Sequence, residues 1–253
     1  MKRILALLLV LMLLAGCSAA PVETVPGTTQ APTTEATTQP QLSYEGLSAV
    51  FVGDSITYGS GTVNGYRYFE YLDRSLSLGK IYPMGIPGST YSACSELGVE
   101  KEPLTVRGGT VPKADLIFIA LGTNDCGRNT PIGTAEDTTD VSLYGAIHVT
   151  VTGLKEKYPE AKIIILSPVP RRDLERNRLG YLLTDYVEAI RTAAELHDVL
   201  YVDMYKPLAG YFSAENAEAY FPDKLHPNSA GHQLMAEVLE AWLLENIETV
   251  LAN

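Results

Sequence analysis

The sequence predicts a single α/β domain with a parallel sheet, and three observations carry the prediction. From about Tyr44 onward, short runs rich in β-branched and apolar residues alternate with amphipathic stretches of helical length. The runs are continuously apolar, as strands covered on both faces are. No internal repeat divides the chain, so the alternation reads as successive βαβ units with helices on both sides of one sheet.

The first strand is expected at Leu47–Val52 (LSAVFV), closed by a turn at Gly53. Lys80–Met84 is a weaker candidate, because Pro83 interrupts it and lacks the N–H that a ladder needs. Leu116–Leu121 (LIFIAL), Lys162–Leu166 (KIIIL) and Leu200–Val202 (LYV) complete a set of five. Helices are expected over Tyr66–Leu78, Tyr144–Lys157, Tyr181–His197 and Ala230–Leu244. In the last of these, Leu234, Val238, Leu239, Trp242 and Leu243 recur at helical spacing and make one apolar stripe.

The first 43 residues stand outside this pattern. Lys2 and Arg3 precede a twelve-residue apolar run, Ile4 to Ala15, long enough for an export signal and too short to span a bilayer. It ends in Leu14-Ala15-Gly16-Cys17, which resembles the bacterial lipobox. The resemblance implies cleavage before Cys17 and a lipid on its thiol; an ordinary secretory cleavage near Ala19-Ala20 is the alternative. Residues 18–41 hold seven threonines, four prolines and no aromatic residue, so they cannot bury enough surface to offset chain entropy. The expected organisation is a signal at 1–16, a lipidated cysteine and Thr/Pro-rich tether at 17–43, and a folded domain at 44–253. An exported protein at the bacterial cell surface follows, with the lipid anchor as its sole membrane contact.

Charge and motif content exclude several functions. The formal charge is −11, and losing Lys2 and Arg3 with the signal takes it to −13. Nucleic acid is therefore not an expected partner, since phosphate binding needs a basic patch; strongly anionic substrates are disfavoured on the same ground. The three cysteines match no zinc spacing. The chain contains no Walker loop, dinucleotide fingerprint, His-Glu-x-x-His or Gly-x-Ser-x-Gly.

In open parallel sheets a ligand site lies beyond the carboxyl ends of the strands. Gly53-Asp54-Ser55-Ile56-Thr57, Gly85-Ile86-Pro87-Gly88-Ser89 and Gly122-Thr123-Asn124-Asp125 each follow a strand there. A serine hydroxyl is a poor nucleophile until a base takes its proton. His226 can be that base for Ser55, and Asp223, three residues earlier, can hold the imidazole in the needed tautomer. Acyl transfer also needs donors for a developing oxyanion. The backbone N–H groups of Ser55 and Gly88 and the side-chain amide of Asn124 can supply them, with Gly85 as the alternative to Gly88.

These four blocks, Gly53-Asp54-Ser55-Ile56, Gly88, Gly122-Thr123-Asn124-Asp125 and Asp223-x-x-His226, stand in the order of the SGNH hydrolases, the GDSL-type esterase and lipase superfamily. The resemblance runs from about Ala49 past His226. It implies a flavodoxin-like three-layer α/β/α sandwich with a mainly parallel five-stranded sheet. It also implies Ser55 as nucleophile, Ser55, Gly88 and Asn124 as oxyanion donors, and His226 with Asp223 as base and orienter. No metal or organic cofactor is implied. Two departures are visible: Ile56 stands where the family name has leucine, and Tyr82-Pro83-Met84 occupies the stretch where an asparagine precedes the glycines of the second block.

The other polar residues have plainer readings. Asp54 and Asp125 are expected to brace turns; His148 and His197 are expected on surfaces or in packing, and His232 in a structural place, with the rim of the site as its alternative. Cys94 and Cys126 are open to two readings, a disulfide or two thiols. Tyrosine is over-represented, fifteen against five phenylalanines and one tryptophan, and Tyr58, Tyr66, Tyr68 and Tyr91 lie close to the motifs. Tyrosine offers an apolar face with a polar tip, which suits sugar rings and equally an ordinary packed surface. The expected activity is therefore a serine esterase that deacetylates extracellular carbohydrate through an acyl-enzyme. A lysophospholipase or thioesterase-type acyl hydrolase, and a non-catalytic glycan-binding lipoprotein, are the alternatives.

Overall fold

Five strands, β1 (Ala49–Gly53), β2 (Ile81–Gly85), β3 (Leu116–Ala120), β4 (Lys162–Leu166) and β5 (Leu200–Val202), form one sheet in the order β2-β1-β3-β4-β5. Every neighbouring pair is parallel, with β1 in register with β3 from Ala49↔Leu116 to Gly53↔Ala120. The structure is a computed structural model that describes residues 42–93, 104, 108–171, 175–212 and 217–252. The signal at 1–16, Cys17, the tether to residue 41 and Cys94 lie outside the described residues, as does any Cys94–Cys126 bridge.

Side chains alternate across the strands into two apolar layers, as a sheet covered on both faces requires. Phe51, Leu116, Phe118, Ile164 and Leu166 face one layer, with Tyr68, Phe69 and Leu72 of the helix that follows the Ser55 turn and Met235, Ala236 and Leu239 of the long helix near the C-terminus. Val50, Val52, Ile117, Ile119, Ile163 and Ile165 face the other, with Ile147, Val151, Tyr186, Ile190 and Ala193. Phe51 stacks on Phe118 at 4.6 Å with the rings 2° from parallel. The strand order and the double covering make this the flavodoxin-like α/β/α sandwich. The sheet is wholly parallel.

The longer helices are α2 (Tyr68–Leu76), α4 (Leu143–Lys157), α5 (Leu183–Leu196) and α6 (Ser229–Glu245); α1 (Ser55–Tyr58) and α3 (Thr123–Gly127) are single turns at strand ends. Helix α2 begins two residues later than the apolar pattern suggests, because Arg67 is extended and its N–H is accepted by the Glu70 carboxylate at 2.8 Å. Helix α5 begins at Leu183 for a similar reason, with Asp185 accepting the Leu182 N–H at 2.7 Å. Helix α6 is capped by Asn228, whose side-chain oxygen accepts the Gly231 N–H at 3.0 Å. The proline that weakened the second strand sits exposed on β2, the sheet's edge, where its missing N–H costs no ladder bond to an outer neighbour.

Candidate active site

Ser55 is the first residue of α1, directly beyond the carboxyl end of β1. Gly53 is required there, since a Cβ would lie 2.0 Å from the Thr57 hydroxyl. The Asp54 carboxylate accepts the Ile56 N–H at 2.9 Å and so starts the turn. Gly59, at φ 99°, ends it by donating its N–H to the carbonyls of Ser55 and Ile56. A single tight turn thus holds Ser55 at 8% exposure at the rim of the sheet.

His226 and Asp223 arrive on the segment between a one-turn helix at Ala217–Tyr220 and α6. Asp223 Oδ1 accepts the N–H groups of Leu225 (3.0 Å) and His226 (2.6 Å), which folds the segment into a turn. Its Oδ2 lies 2.7 Å from His226 Nδ1, and His226 Nε2 lies 2.9 Å from Ser55 Oγ. A carboxylate only accepts, so Nδ1 carries the hydrogen and Nε2 is left to accept from the serine hydroxyl. The Asp223 carboxyl lies below the usual aspartate range: partial burial raises it, but the His226 N–H, the His226 ring and the Leu225 N–H together lower it more. Gly61, at φ 92°, packs the preceding loop onto the histidine, where a Cβ would meet the Pro227 carbonyl at 2.7 Å and His226 Cβ at 3.0 Å.

Asn124 stands on α3, beyond β3, with Gly122 before it at φ 112°. Its Nδ2 donates to Asp54 Oδ2 at 3.2 Å and to the Ser89 carbonyl at 3.0 Å. These acceptors are the chain neighbours of Ser55 and Gly88, so the Asn124 side chain bridges the loops that follow β1 and β2. Gly88 adopts φ 79° within the turn closed by the Ser89 N–H to the Ile86 carbonyl. Gly85 is glycine for another reason, close packing: a Cβ there would lie 2.2 Å from the Tyr58 nitrogen.

Two buried carboxylates brace the site. Asp125 accepts the N–H groups of Tyr91 (3.0 Å) and Ser92 (3.2 Å), tying the loop after β2 to α3, as its turn-bracing expectation holds. Burial pushes both Asp54 and Asp125 up to about 6, against the backbone N–H bonds that lower them. Arg171, which no sequence pattern singled out, donates to the Thr123 carbonyl and hydroxyl at 3.3 Å and lies near enough to Asp54 to favour its charge.

Among the remaining candidates, Tyr68 and Tyr91 are wholly buried, so of the two readings open for them packing holds and sugar contact does not. Their rings fill the two core layers. Tyr58 and Tyr66 are exposed, at 60% and 46%. His232 is wholly buried, accepting the Tyr68 N–H on Nδ1 at 3.2 Å. His148 and His197 pair with each other, 5.1 Å between rings, on α4 and at the end of α5. Cys126 is buried in the core layer with Tyr91. Among the described residues, no group of three or more His, Cys, Asp or Glu is placed to hold a metal ion.

The family model described as the GDSL-like lipase/acylhydrolase family matches residues 51–234. A solved structure of a protein from Lactobacillus plantarum is 29% identical, with 81% of this chain and 99% of that one covered at a TM-score of 0.70. Axe2, an acetylxylan esterase from Geobacillus stearothermophilus, is 20% identical, with 82% and 96% covered at a TM-score of 0.57. That second likeness is one of fold. No curated protein matches the chain.

Proposed function

Because the chain belongs to the GDSL-like lipase/acylhydrolase family and is a GDSL-type esterase, we propose that it hydrolyses carboxylic esters by a Ser55–His226–Asp223 mechanism and that its substrates are short acyl esters of extracellular carbohydrate. The observation that carries the mechanism is the unbroken relay from Ser55 Oγ to His226 Nε2 at 2.9 Å and from His226 Nδ1 to Asp223 at 2.7 Å. Ser55 Oγ attacks the ester carbonyl while Nε2 takes its proton. The oxyanion is received by the N–H groups of Ser55 and Gly88 and by the Asn124 amide. The imidazolium then protonates the departing alkoxide, leaving an acyl-enzyme on Ser55. Water, deprotonated by the same nitrogen, releases the acid.

Short acyl groups are supported by a cavity of about 20 Å³ against Asp54 and Ile56, lined further by Leu166, Val169, Met204 and Met235. That volume holds about one methyl-sized group, which suits an acetyl ester. Carbohydrate as the alcohol is supported by the exposed side chains of Tyr58, at the end of α1, and Tyr66, on the loop that follows it, and by the export signal that the sequence predicts. Axe2 is named an acetylxylan esterase. Anchoring at the cell surface through Cys17 belongs to the same proposal and rests on the sequence alone.

A fluorophosphonate probe should label the protein and fail to label Ser55→Ala, and acetate should be released from acetylated xylan or pectin faster than octanoate from p-nitrophenyl octanoate. Labelling of Ser55→Ala would overturn the nucleophile assignment. Preference for octanoate would overturn the short-acyl reading and leave the esterase.

A further inference from the structure

Asp54 neighbours the nucleophile, yet the mechanism above gives its carboxylate nothing to do beyond starting a turn. That turn occupies only one oxygen: Oδ1 accepts the Ile56 N–H at 2.9 Å. Oδ2 accepts from Asn124 Nδ2 at 3.2 Å, across 70 residues of chain. Asp54 is 2% exposed, so this second bond is largely shielded from water. A buried acceptor reaching from one motif block to the side chain of another needs a reason.

The two ends of an asparagine amide have nearly the same shape, so packing alone does not decide which end points inward. Polar neighbours decide it. Turned the other way, the Asn124 oxygen would face the Asp54 carboxylate and the Ser89 carbonyl, two acceptors and no donor. We propose that Asp54 is a positioning residue for the reaction: its carboxylate holds the Asn124 amide with nitrogen inward, between the Ser55 and Gly88 backbone donors. This rests on the reading of Asn124 as an oxyanion donor. Donors in such a site act through being aimed before charge develops, so an amide free to turn would lose much of its effect. The Asn124 nitrogen carries two hydrogens and two acceptors, so an arriving oxyanion must share one. The uncharged Ser89 carbonyl is the acceptor that yields, while the charge-assisted bond to Asp54 keeps the amide in place.

Aspartate fits this task and asparagine does not. An asparagine side chain at position 54 would have a single acceptor for two donors. If its oxygen kept the Ile56 N–H, its own NH₂ would face the Asn124 NH₂. Asp54→Asn therefore preserves the turn and removes the clamp.

The test is a double-mutant cycle of Asp54→Asn with Asn124→Ala on p-nitrophenyl acetate, with thermal melts of each protein. Asp54→Asn should lower kcat about tenfold or more with KM changed less than about threefold, and the double variant should be no slower than Asn124→Ala alone. Losses that multiply would mean that Asp54 acts independently of Asn124 and would overturn the proposal, as would a wild-type kcat for Asp54→Asn. If Asn124→Ala alone keeps the wild-type kcat, the oxyanion assignment itself falls. Should Asp54→Asn fail to fold, Asp54→Ser replaces it in the cycle: its hydroxyl reaches the Ile56 N–H but not Asn124.

Discussion

Replacing Asp223 by asparagine should harm the enzyme more than replacing it by alanine. The two oxygens of Asp223 have unequal duties: Oδ1 accepts two backbone N–H groups, at 2.6 and 3.0 Å, and Oδ2 accepts one ring N–H at 2.7 Å. Asparagine has one acceptor and one donor end to place. With two backbone donors against one ring donor, and about 1 kcal/mol for a typical hydrogen bond, its oxygen should stay with the backbone. Its NH₂ then faces Nδ1. The ring must accept there and carry its proton on Nε2, the nitrogen that has to accept from Ser55. The wrong tautomer in a Ser–His–Asp set costs about 10⁴ in kcat, or about 5.5 kcal/mol of transition-state stabilisation. Alanine imposes no tautomer. Asp223 is 54% exposed on its side chain, so water can occupy the vacated place and accept the Nδ1 hydrogen. A smaller loss than asparagine's follows for alanine, because orientation is weakened rather than inverted. The assay is kcat and KM on p-nitrophenyl acetate for both variants, with circular dichroism to confirm folding. An asparagine variant as active as the alanine variant, or more so, would refute the tautomer argument.

Two further outcomes follow from other parts of the structure. Burial lowers the His232 pKa from 6.5 to about 4, with Arg67 adding to the effect, so the folded state holds this ring neutral while the unfolded chain protonates it. Its contribution is therefore lost as pH falls from about 6.5 toward 4, and the stability gap between wild type and His232→Asn should shrink by about 2 kcal/mol between pH 8 and pH 5. Guanidinium titrations at the two pH values measure it; Asp54 and Asp125 titrate in both proteins and cancel, and an unchanged gap would contradict the sign. Met235→Ala should enlarge the cavity beside Ile56 and raise the butyrate-to-acetate ratio of kcat/KM about tenfold. It should also destabilise the fold by about 2–5 kcal/mol, since Met235 is buried. An unchanged ratio would remove the cavity from the acyl side of the site.

The sheet was legible in the sequence because β3 and β4 are continuous apolar runs, and such runs are constrained on both faces at once. Leu200–Val202, only three residues long, was legible for its place between α5 and a polar turn. Single-turn helices were not: four residues, as in Tyr205–Leu208 or Ala217–Tyr220, show no helical period. The relay residues were readable because each follows a strand end or sits three residues from its partner. The tyrosines misled in two of four cases, because tyrosine near a motif is equally suited to a core when its ring can fill a layer, as Tyr68 and Tyr91 do. Asp54 was readable as a turn former and not as a partner of Asn124, since a bond across 70 residues leaves no local pattern.

The strand order explains why these scattered blocks meet. The chain leaves β1, adds β2 on one side, then crosses back over β1 to place β3 on the other. Connections on either side of β1 therefore diverge, and a crevice opens at its carboxyl end. Ser55 follows β1 itself, Gly88 follows β2 and Asn124 follows β3, so the crevice is bounded by one residue from each of three adjacent strands. What strand order alone does not set is the spacing between the strand-end loops, each of which is free to lean. The buried carboxylates set it. Asp54 ties the β1 loop to the β3 loop, and Asp125 ties the β3 loop to the β2 loop. Each carboxylate is the chain neighbour of a residue assigned to the chemistry. Removal of the Asp125 carboxylate should thus disturb activity through distance between loops, with the nucleophile and base still in place.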